Sequence, residues 1–194
     1  RLNAMDHLGD FALEHAGVID IVTMYLDTQD LALFRSQYAL RLRFVGNRVL
    51  LSLKGPSSSV DAIQVRPETE VSAPGFSEKH VPGAAEVVRL MPSAADLLRG
   101  LSLSPVLHVA DRRALHYVLQ DGAHAYEIAC DTVTFSSPRA PGQRAGETEL
   151  EIEQKGGSLE GLQSLMHIFE LFFALTPRRS SSKYQDGLRG LGII

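Results

Sequence analysis

The sequence predicts an α+β fold, in which helices flank an antiparallel β-sheet that is large enough to close on itself. Two dipeptides typical of hairpin turns, Gly46-Asn47 and Asp121-Gly122, each lie between segments in which apolar and polar residues alternate. Seven segments have strand character, and most are joined by turns or short loops. Three further segments have helical character and lie outside the hairpins.

The first part of the chain is predicted to contain one helix followed by four strands. Apolar residues recur at helical spacing near the start, which predicts an amphipathic helix over residues 1–16 with Gly17 as its C-cap. Pro67 cannot donate a ladder hydrogen bond, so its strand should lie at an edge or a bulge. The predicted strands are 18–26, 38–45, 48–54 and 62–72, with a short helical turn at 31–37.

The second part is predicted to contain two helices and three strands. A helix over 84–100 should break at Pro92, and Ser158 should cap a helix that runs to about residue 175 and ends before Pro177. The tail, residues 178–194, is basic and then glycine-rich, and we predict no helix there. The predicted strands are 106–119, 123–135 and 147–154. Without a repeat or a linker, residues 1–194 are predicted to form a single domain.

Composition limits the possible functions. The net charge of −4 argues against broad nucleic-acid binding, and no apolar run approaches the length of a membrane span. Cys130 is the only cysteine and no secretion leader is recognised, so we expect a protein of the reducing cytoplasm in which this thiol is a small buried residue. The seven histidines are scattered, which argues against a zinc site.

Residues 147–154 alternate strictly, so the glutamates at 147, 149, 151 and 153 share one face of a strand. Neighbouring carboxylates on that face repel each other by about 0.6 kcal/mol in water and by about 2.4 kcal/mol in a partly enclosed site. The row is therefore either a solvated outer face or the wall of a cavity filled with cations.

Charges of opposite sign are segregated between the predicted strands. Among charged residues, the hairpin of residues 38–54 contributes only cations to its polar face, including Arg41, Arg43 and Lys54, whereas the 147–154 strand contributes only carboxylates. Opposed basic and acidic walls suit a metal-bound polyphosphate, because guanidinium and ammonium groups hold phosphate oxygens and carboxylates hold Mg²⁺ or Mn²⁺. An ordinary sheet with a solvated charged face, or arginines paired with Glu68 or Glu70, remains an alternative.

Motifs spread along the chain resemble the CYTH domain, the family of triphosphate tunnel metalloenzymes. The resemblance covers residues 18–188 or so. It implies an eight-stranded antiparallel closed β-barrel that binds a triphosphate and divalent metal on its inward face. The motifs are Tyr25-Leu-Asp-Thr28, Ala39-Leu-Arg-Leu-Arg43, Leu53-Lys-Gly55, Arg66-Pro-Glu-Thr-Glu70, Arg113, Asp131, Glu149-Leu-Glu-Ile-Glu153 and Ser182-Lys-Tyr184.

The family begins with a Glu-x-Glu-x-Lys strand followed by a helix, and no such motif precedes the predicted helix of residues 1–16. Because residues 1–16 are predicted to be that helix, we expect the first strand to lie before residue 1. A chain without it would lack two metal-side carboxylates and one lysine, which would favour a binding role over catalysis.

The resemblance also implies a role for each candidate residue. Residues predicted to bind the phosphates are Arg41, Arg43, Lys54, Arg113 and Lys183. Residues predicted to bind Mg²⁺ or Mn²⁺ are Asp131, Glu149 and Glu151. Residues predicted to act in catalysis are Lys183, Glu68 and Glu70, of which the two glutamates order the arginines or hold a second metal. Glu127 is predicted either to face inward or to pair with Arg113.

The resemblance implies a metal-dependent triphosphatase acting on inorganic triphosphate, polyphosphate, or a nucleoside or thiamine triphosphate. A class IV adenylate cyclase is the alternative enzyme, although no stretch of the chain has the character of a purine pocket. A non-enzymatic polyphosphate-binding module is the alternative if the first strand is absent. We expect no membrane partner, and a homodimer is possible.

Overall fold

The computed structural model describes residues 2–60, 63–176 and 182–194. The predicted helix end at Pro177 and the beginning of the predicted 62–72 strand lie outside these residues. The chain groups into two compact units. Unit 1 comprises residues 1–19, 112–133 and 147–179, and unit 2 comprises 20–111, 134–146 and 180–194. The prediction of a single domain stays a prediction.

Strands are the most frequent secondary structure in the described chain. They are β1 His7–Leu8, β2 Phe11–Asp27, β3 Ala39–Val45, β4 Arg48–Lys54, β5 Ser58–Val60, β6 Ile63–Val65, β7 Glu68–Ser72, β8 Ser104–Gln120, β9 Ala123–Ser136 and β10 Ala145–Gln154. The helices are α1 Ala32–Arg35, α2 Ala84–Leu90, α3 Ala95–Leu98, α4 Leu159–Phe173 and α5 Lys183–Gly190, with 3₁₀ turns at Leu2–Ala4 and Pro92–Ala94. No helix of the described residues combines the length and the apolarity needed to cross a membrane.

In the described part of the chain, the hydrogen-bonded order of the main sheet is β10-β9-β8-β2-β3-β4-β7, with β1 added to β2 and with β5 and β6 forming a separate pair. Six of the seven predicted strands lie in this order, which confirms an antiparallel sheet with flanking helices. The predicted 62–72 strand is divided instead, because only residues 68–72 join the main sheet as β7, whereas residues 63–65 pair with β5 as β6. Among the described residues, the end strands β10 and β7 do not pair with each other, so hydrogen bonds do not close the sheet. Closure into a barrel stays a prediction.

The predicted helix over residues 1–16 is wrong. Residues 7–8 and 11–27 are strands, and Leu8 pairs with Phe11 across a two-residue turn. Gly9 takes a φ of 59° in that turn, a conformation that favours glycine. Gly17 also has a positive φ, but it lies inside β2 and ends no helix. The helical spacing of the apolar residues was coincidental, because strand pairing decides the structure of this segment.

Unit 2 contains an apolar core beneath β3 and β4. The inward residues of the two strands, such as Leu40, Leu42 and Leu51, are fully buried and pack with residues of α2 and α3. The predicted break at Pro92 is confirmed, because a 3₁₀ turn separates α2 from α3. The opposite side of β3 and β4 carries the charged residues.

Unit 1 contains α4, which Ser158 caps as predicted by accepting a hydrogen bond from the backbone N–H of Gly161 at 3.0 Å. Leu162, Leu165 and Phe169 form its buried side. Gly161 also leaves room for Tyr126, because a Cβ at this position would lie 2.1 Å from the tyrosine Oη. The hydroxyl of Tyr126 donates to the carbonyl oxygen of Ser158 at 2.8 Å and so ties the start of α4 to β9.

Candidate functional site

The strand register of unit 2 builds a row of side chains across four strands. Tyr25 lies opposite Arg41, Arg41 opposite Ser52, and Ser52 opposite Glu70. Residues directly opposite on antiparallel strands share a face and lie within contact distance. The Nε of Arg41 donates to the Ser52 hydroxyl at 3.2 Å, and that hydroxyl donates to Glu70 Oε2 at 3.2 Å. Ser52, which the sequence analysis did not single out, links the predicted phosphate ligand to a predicted catalytic carboxylate.

Glu68 bridges two of the predicted phosphate-binding cations. Its carboxylate lies 3.1 Å from Arg41 Nη2 and 3.1 Å from Lys54 Nζ. Burial acts to raise the pKa of Glu68, but the charges of Lys54 and Arg41, with a further contribution from Arg43, hold it below its ordinary value. The alternative that Arg41 pairs with a neighbouring glutamate is therefore observed. Arg43 is half-buried and contributes its charge to the same group, which we call the cationic cluster: Arg41, Arg43, Lys54 and Glu68.

The Ser-Lys-Tyr motif begins a helix that was not predicted. The Ser182 hydroxyl accepts a hydrogen bond from the N–H of Gln185 at 3.3 Å and so caps α5. The spacing Ser182-x-x-Gln185 is the sequence signature of a capping box, and this signal could have revealed the helix. Lys183 therefore occupies the first turn of a helix rather than a glycine-rich tail.

Tyr184 fixes α5 within unit 2. Its ring stacks on that of Tyr25 with centroids 4.5 Å apart, and its hydroxyl donates to Asp27 Oδ2 at 2.8 Å. Asp27 is fully buried, and its carboxylate also accepts from the N–H groups of Leu33 and Phe34, both at 2.9 Å. Asp27 thus holds both the turn before α1 and the start of α5.

Lys183, predicted to act on phosphate, is placed beside a carboxylate that the sequence analysis missed. Its Nζ lies 3.8 Å from Oδ2 of Asp111 in β8, and both side chains are largely buried. Asp111 is thus the partner that limits where this ammonium group can point. A short-range sequence pattern does not reveal this pair, because 72 positions separate the two residues in the chain.

Unit 1 brings together the three predicted metal ligands. One carboxylate oxygen from each of Asp131, Glu149 and Glu151 lies within 4.8 Å of the others, close enough to hold one metal ion. Asp131 in β9 is fully buried, Glu149 is half-buried and Glu151 is exposed. Three carboxylates form the hard oxygen donor set that Mg²⁺ and Mn²⁺ prefer. We call these residues the acidic triad.

Arg113 already contacts two members of the acidic triad. Its Nε and Nη2 donate to the two oxygens of Asp131 at 2.9 and 2.7 Å, and Nη2 also donates to Glu151 at 2.7 Å. Glu127 does not pair with Arg113. It lies 3.4 Å from Lys155, which also contacts Glu153 at 2.9 Å. A predicted phosphate ligand and two predicted metal ligands therefore meet in one cluster.

The remaining features of unit 1 refine the sequence analysis. Glu147 at the start of the carboxylate row is half-buried, whereas Glu151 and Glu153 are exposed. Burial, and then the negative charge of Asp131, raise the pKa of the Cys130 thiol. The thiol therefore remains protonated at neutral pH, in agreement with its expected role as a packing residue rather than a nucleophile.

Solved structures of low sequence identity share this fold. A putative adenylyl cyclase from Hippeastrum, described as having a dominant triphosphatase activity, aligns with a TM-score of 0.68 and 17% identity over 94% of this chain and 86% of its own. A putative adenylate cyclase from Bacillus halodurans aligns with a TM-score of 0.52 and 20% identity over 95% and 85% of the two chains. A protein from Pyrococcus horikoshii aligns with a TM-score of 0.55 and 18% identity over 91% and 88%.

A comparison with curated protein sequences gives no match. The profile of the CYTH domain, in contrast, matches residues 3–187, which is nearly the whole chain. This match includes the cationic cluster, the acidic triad and the Ser-Lys-Tyr motif at the start of α5. The chain therefore belongs to the CYTH domain family.

Proposed function

We propose that this protein is a metal-dependent triphosphatase that hydrolyses inorganic triphosphate or a small organic triphosphate. The family acts on triphosphate substrates and is metal-dependent, and the Hippeastrum protein of the same fold is described as a triphosphatase. The proposed metal is Mg²⁺ or Mn²⁺. The closed eight-stranded barrel belongs to the same proposal.

The acidic triad is the observation that carries the proposal. Three carboxylates placed within 4.8 Å of one another repel each other strongly unless cations neutralise them. Asp131, Glu149 and Glu151 would hold the metal. When bound there, the metal would offset the negative charge of the phosphates and polarise them toward attack.

The cationic cluster supplies the second requirement, a grip on phosphate oxygens. Arg41 presents a planar guanidinium from a buried position, and Lys54 adds a point charge from the next strand. Both are paired with Glu68, so a triphosphate must replace this carboxylate as their anionic partner. Ser52 and Glu70 keep the guanidinium of Arg41 oriented, which reduces the entropy lost when phosphate binds.

In the proposed reaction, a water molecule attacks the terminal phosphorus in line with the leaving diphosphate. The cations of the cluster and Lys183 stabilise the charge that moves onto the leaving group. Asp111 limits the positions open to the Lys183 ammonium group. Glu70 orders Arg41 through Ser52, and Glu68 holds Arg41 and Lys54 until the triphosphate replaces it, so the part of both glutamates in catalysis is positional.

Phosphate release from inorganic triphosphate, ATP and thiamine triphosphate, with Mg²⁺, Mn²⁺ or EDTA, tests the proposal. Asp131→Asn and Glu149→Gln should each lower the metal-dependent rate by about 100-fold or more, because several kcal/mol of charge stabilisation are lost. Glu160→Gln, at an exposed position in the first turn of α4, removes the same charge and should leave the rate unchanged. Wild-type rates in both triad variants would refute the metal assignment.

An adenylate cyclase is the second candidate, because structures from Hippeastrum and Bacillus halodurans that share the fold are described as putative cyclases. Formation of cyclic AMP from ATP with Mn²⁺ would establish it. Tight binding of tripolyphosphate with neither activity would instead favour the non-enzymatic module.

The cytoplasmic location and the possible homodimer also remain proposals. The lone Cys130 supports the location, since internal disulfides are impossible. Light scattering of the purified protein at several concentrations would determine the oligomeric state.

A further inference from the structure

Arg113 shows a direct conflict between its observed contacts and its proposed role. As a phosphate ligand it should be available to an anion, yet its guanidinium contacts both oxygens of Asp131 and one oxygen of Glu151 at 2.7 to 2.9 Å. The side chain is 13% exposed, and its partner Asp131 is fully buried. A two-pronged pair between a guanidinium and a buried carboxylate is strong and geometrically specific.

The same oxygens are the ones that a metal would need. Asp131, Glu149 and Glu151 are the acidic triad, and Arg113 contacts two of its three members. A divalent ion held by the acidic triad would repel the guanidinium and would draw on oxygens that Arg113 now contacts. Arg113 and the metal therefore compete for the triad.

We propose that Arg113 is an exchangeable counterion of the acidic triad, and that metal binding displaces it toward the phosphates of the substrate. This inference rests on the proposed function and adds the order of events. Without metal, Arg113 neutralises the triad and contributes little to phosphate binding. With metal in place, the cation would weaken the contacts of the guanidinium with Asp131 and Glu151, and a phosphate oxygen of the substrate would supply a new anionic partner. Metal and triphosphate consequently bind with positive cooperativity.

The first test measures Mn²⁺ binding alone, by electron paramagnetic resonance and calorimetry, in the full chain. Arg113→Gln should bind Mn²⁺ about tenfold more tightly than the wild type, equivalent to about 1.4 kcal/mol of removed competition. Arg112→Gln removes the same charge from the neighbouring, exposed position and should change the affinity less than about twofold. Arg113→Lys keeps the charge without the two-pronged geometry and should give an intermediate affinity.

The second test measures binding of a methylene-bridged triphosphate that resists hydrolysis. In EDTA, Arg113→Gln should bind it within about twofold of the wild type. At saturating Mn²⁺ the variant should bind it about tenfold more weakly, since the residue that metal makes available is missing. A purely structural role for Arg113 would weaken binding equally in both conditions.

The outcomes separate this inference from the proposed function. Equal Mn²⁺ affinity in the wild type, Arg113→Gln and Arg113→Lys would overturn the exchange and leave the metal site standing. Failure of the wild type and both variants to bind Mn²⁺ would overturn the exchange and the metal assignment together. If Arg113→Gln does not fold without metal, Arg113→Lys supplies the comparison, and its affinity decides the result.

Discussion

Replacing Tyr184 by phenylalanine removes one hydroxyl and keeps the ring that stacks on Tyr25. The residue is 2% exposed, and its hydroxyl donates to Asp27 Oδ2 at 2.8 Å. Burial, and then the charge of Asp27, raise the pKa of Tyr184 far above its ordinary value. The hydroxyl is therefore a donor throughout the accessible pH range, and the bond it makes is a charge-assisted one inside unit 2.

The size of the expected destabilisation depends on the hydrogen bonds that Asp27 retains in the variant. Its carboxylate still accepts from the N–H groups of Thr28 at 2.7 Å and of Leu33 and Phe34 at 2.9 Å, so the variant does not leave a buried charge without donors. Tyr184→Phe then loses one hydrogen bond to a charged group, about 1.5–3 kcal/mol of unfolding free energy. For a chain of this length, a loss of about 2 kcal/mol lowers the Tm by about 4–8 °C.

Urea unfolding, followed by circular dichroism and by tyrosine fluorescence, measures this loss as a lower midpoint at unchanged m-value. Tyr126→Phe is the matched control, because Tyr126 is fully buried and donates over the same 2.8 Å to a neutral carbonyl oxygen. That variant should lose only about 0.5–1.5 kcal/mol. If Tyr184→Phe is no more destabilising than Tyr126→Phe, the charged bond to Asp27 does not hold α5 in place, and the reasoning is refuted.

Three further predictions concern Glu68 and Gly161. Glu68→Gln should strengthen metal-free binding of tripolyphosphate by about two- to fivefold, because a partly exposed carboxylate no longer competes for Arg41 and Lys54; calorimetry in EDTA showing weaker binding would contradict this. The pKa of Glu68 is lowered in the folded state, so the ionised carboxylate stabilises the fold fully above the ordinary glutamate pKa, and this stability is lost as pH falls through the lowered pKa. Below about pH 5 the wild type should therefore lose more stability than Glu68→Gln. Urea midpoints that fall in parallel for the two proteins would count against the ion pairs. Gly161→Ala should lower the Tm although alanine favours helix by about 1 kcal/mol, because the added Cβ would lie 2.1 Å from the hydroxyl of Tyr126. Adding Tyr126→Phe should restore part of the lost stability. A double variant no more stable than Gly161→Ala would exclude the clash.

Features encoded by local sequence were predictable from the chain. Alternation around Gly46-Asn47 predicted β3 and β4 to within one residue, and Asp121 and Gly122 take the positive φ values of 53° and 78° expected of a two-residue hairpin turn. Once these turns fix the register, parity alone places Arg41, Arg43 and Lys54 on the face opposite the apolar core.

The start of the chain was mispredicted because its decisive signal is short. Residues 11–18 contain a single buried side chain, Leu13, so the burial period that identifies a strand is almost absent. The dipeptide Gly9-Asp10 between β1 and β2 is typical of a hairpin turn, but the apolar residues around it recur at helical spacing. Pairing with neighbouring strands then decides the conformation, and pairing is not visible in a local window.

The partner of Arg113 could not be predicted for a different reason. Its contacts join β8 to Asp131 in β9 and to Glu151 in β10. The alternation of side chains along the two strands allows Arg113 to share a face with either Asp131 or Glu127. Which of the two it contacts depends on the stagger of the strands and on the length of each side chain. The pair of Lys183 and Asp111 could not be predicted for the same reason, since it depends on which elements lie beside each other in the fold.

The cationic cluster and the acidic triad each have a counter-charge within their own unit. Arg41 is 7% exposed, and a buried charge without a partner would cost several kcal/mol, so Glu68 makes the folded state possible before any ligand arrives. Asp131 is fully buried and depends on Arg113 in the same way. A ligand must therefore attract Arg41 and Lys54 more strongly than the carboxylate of Glu68 does. A monoanion only replaces one negative charge with another, whereas a triphosphate brings several to the same cations. This requirement favours polyphosphates as ligands of the cationic cluster, and it arises from the internal ion pairs rather than from the shape of a pocket.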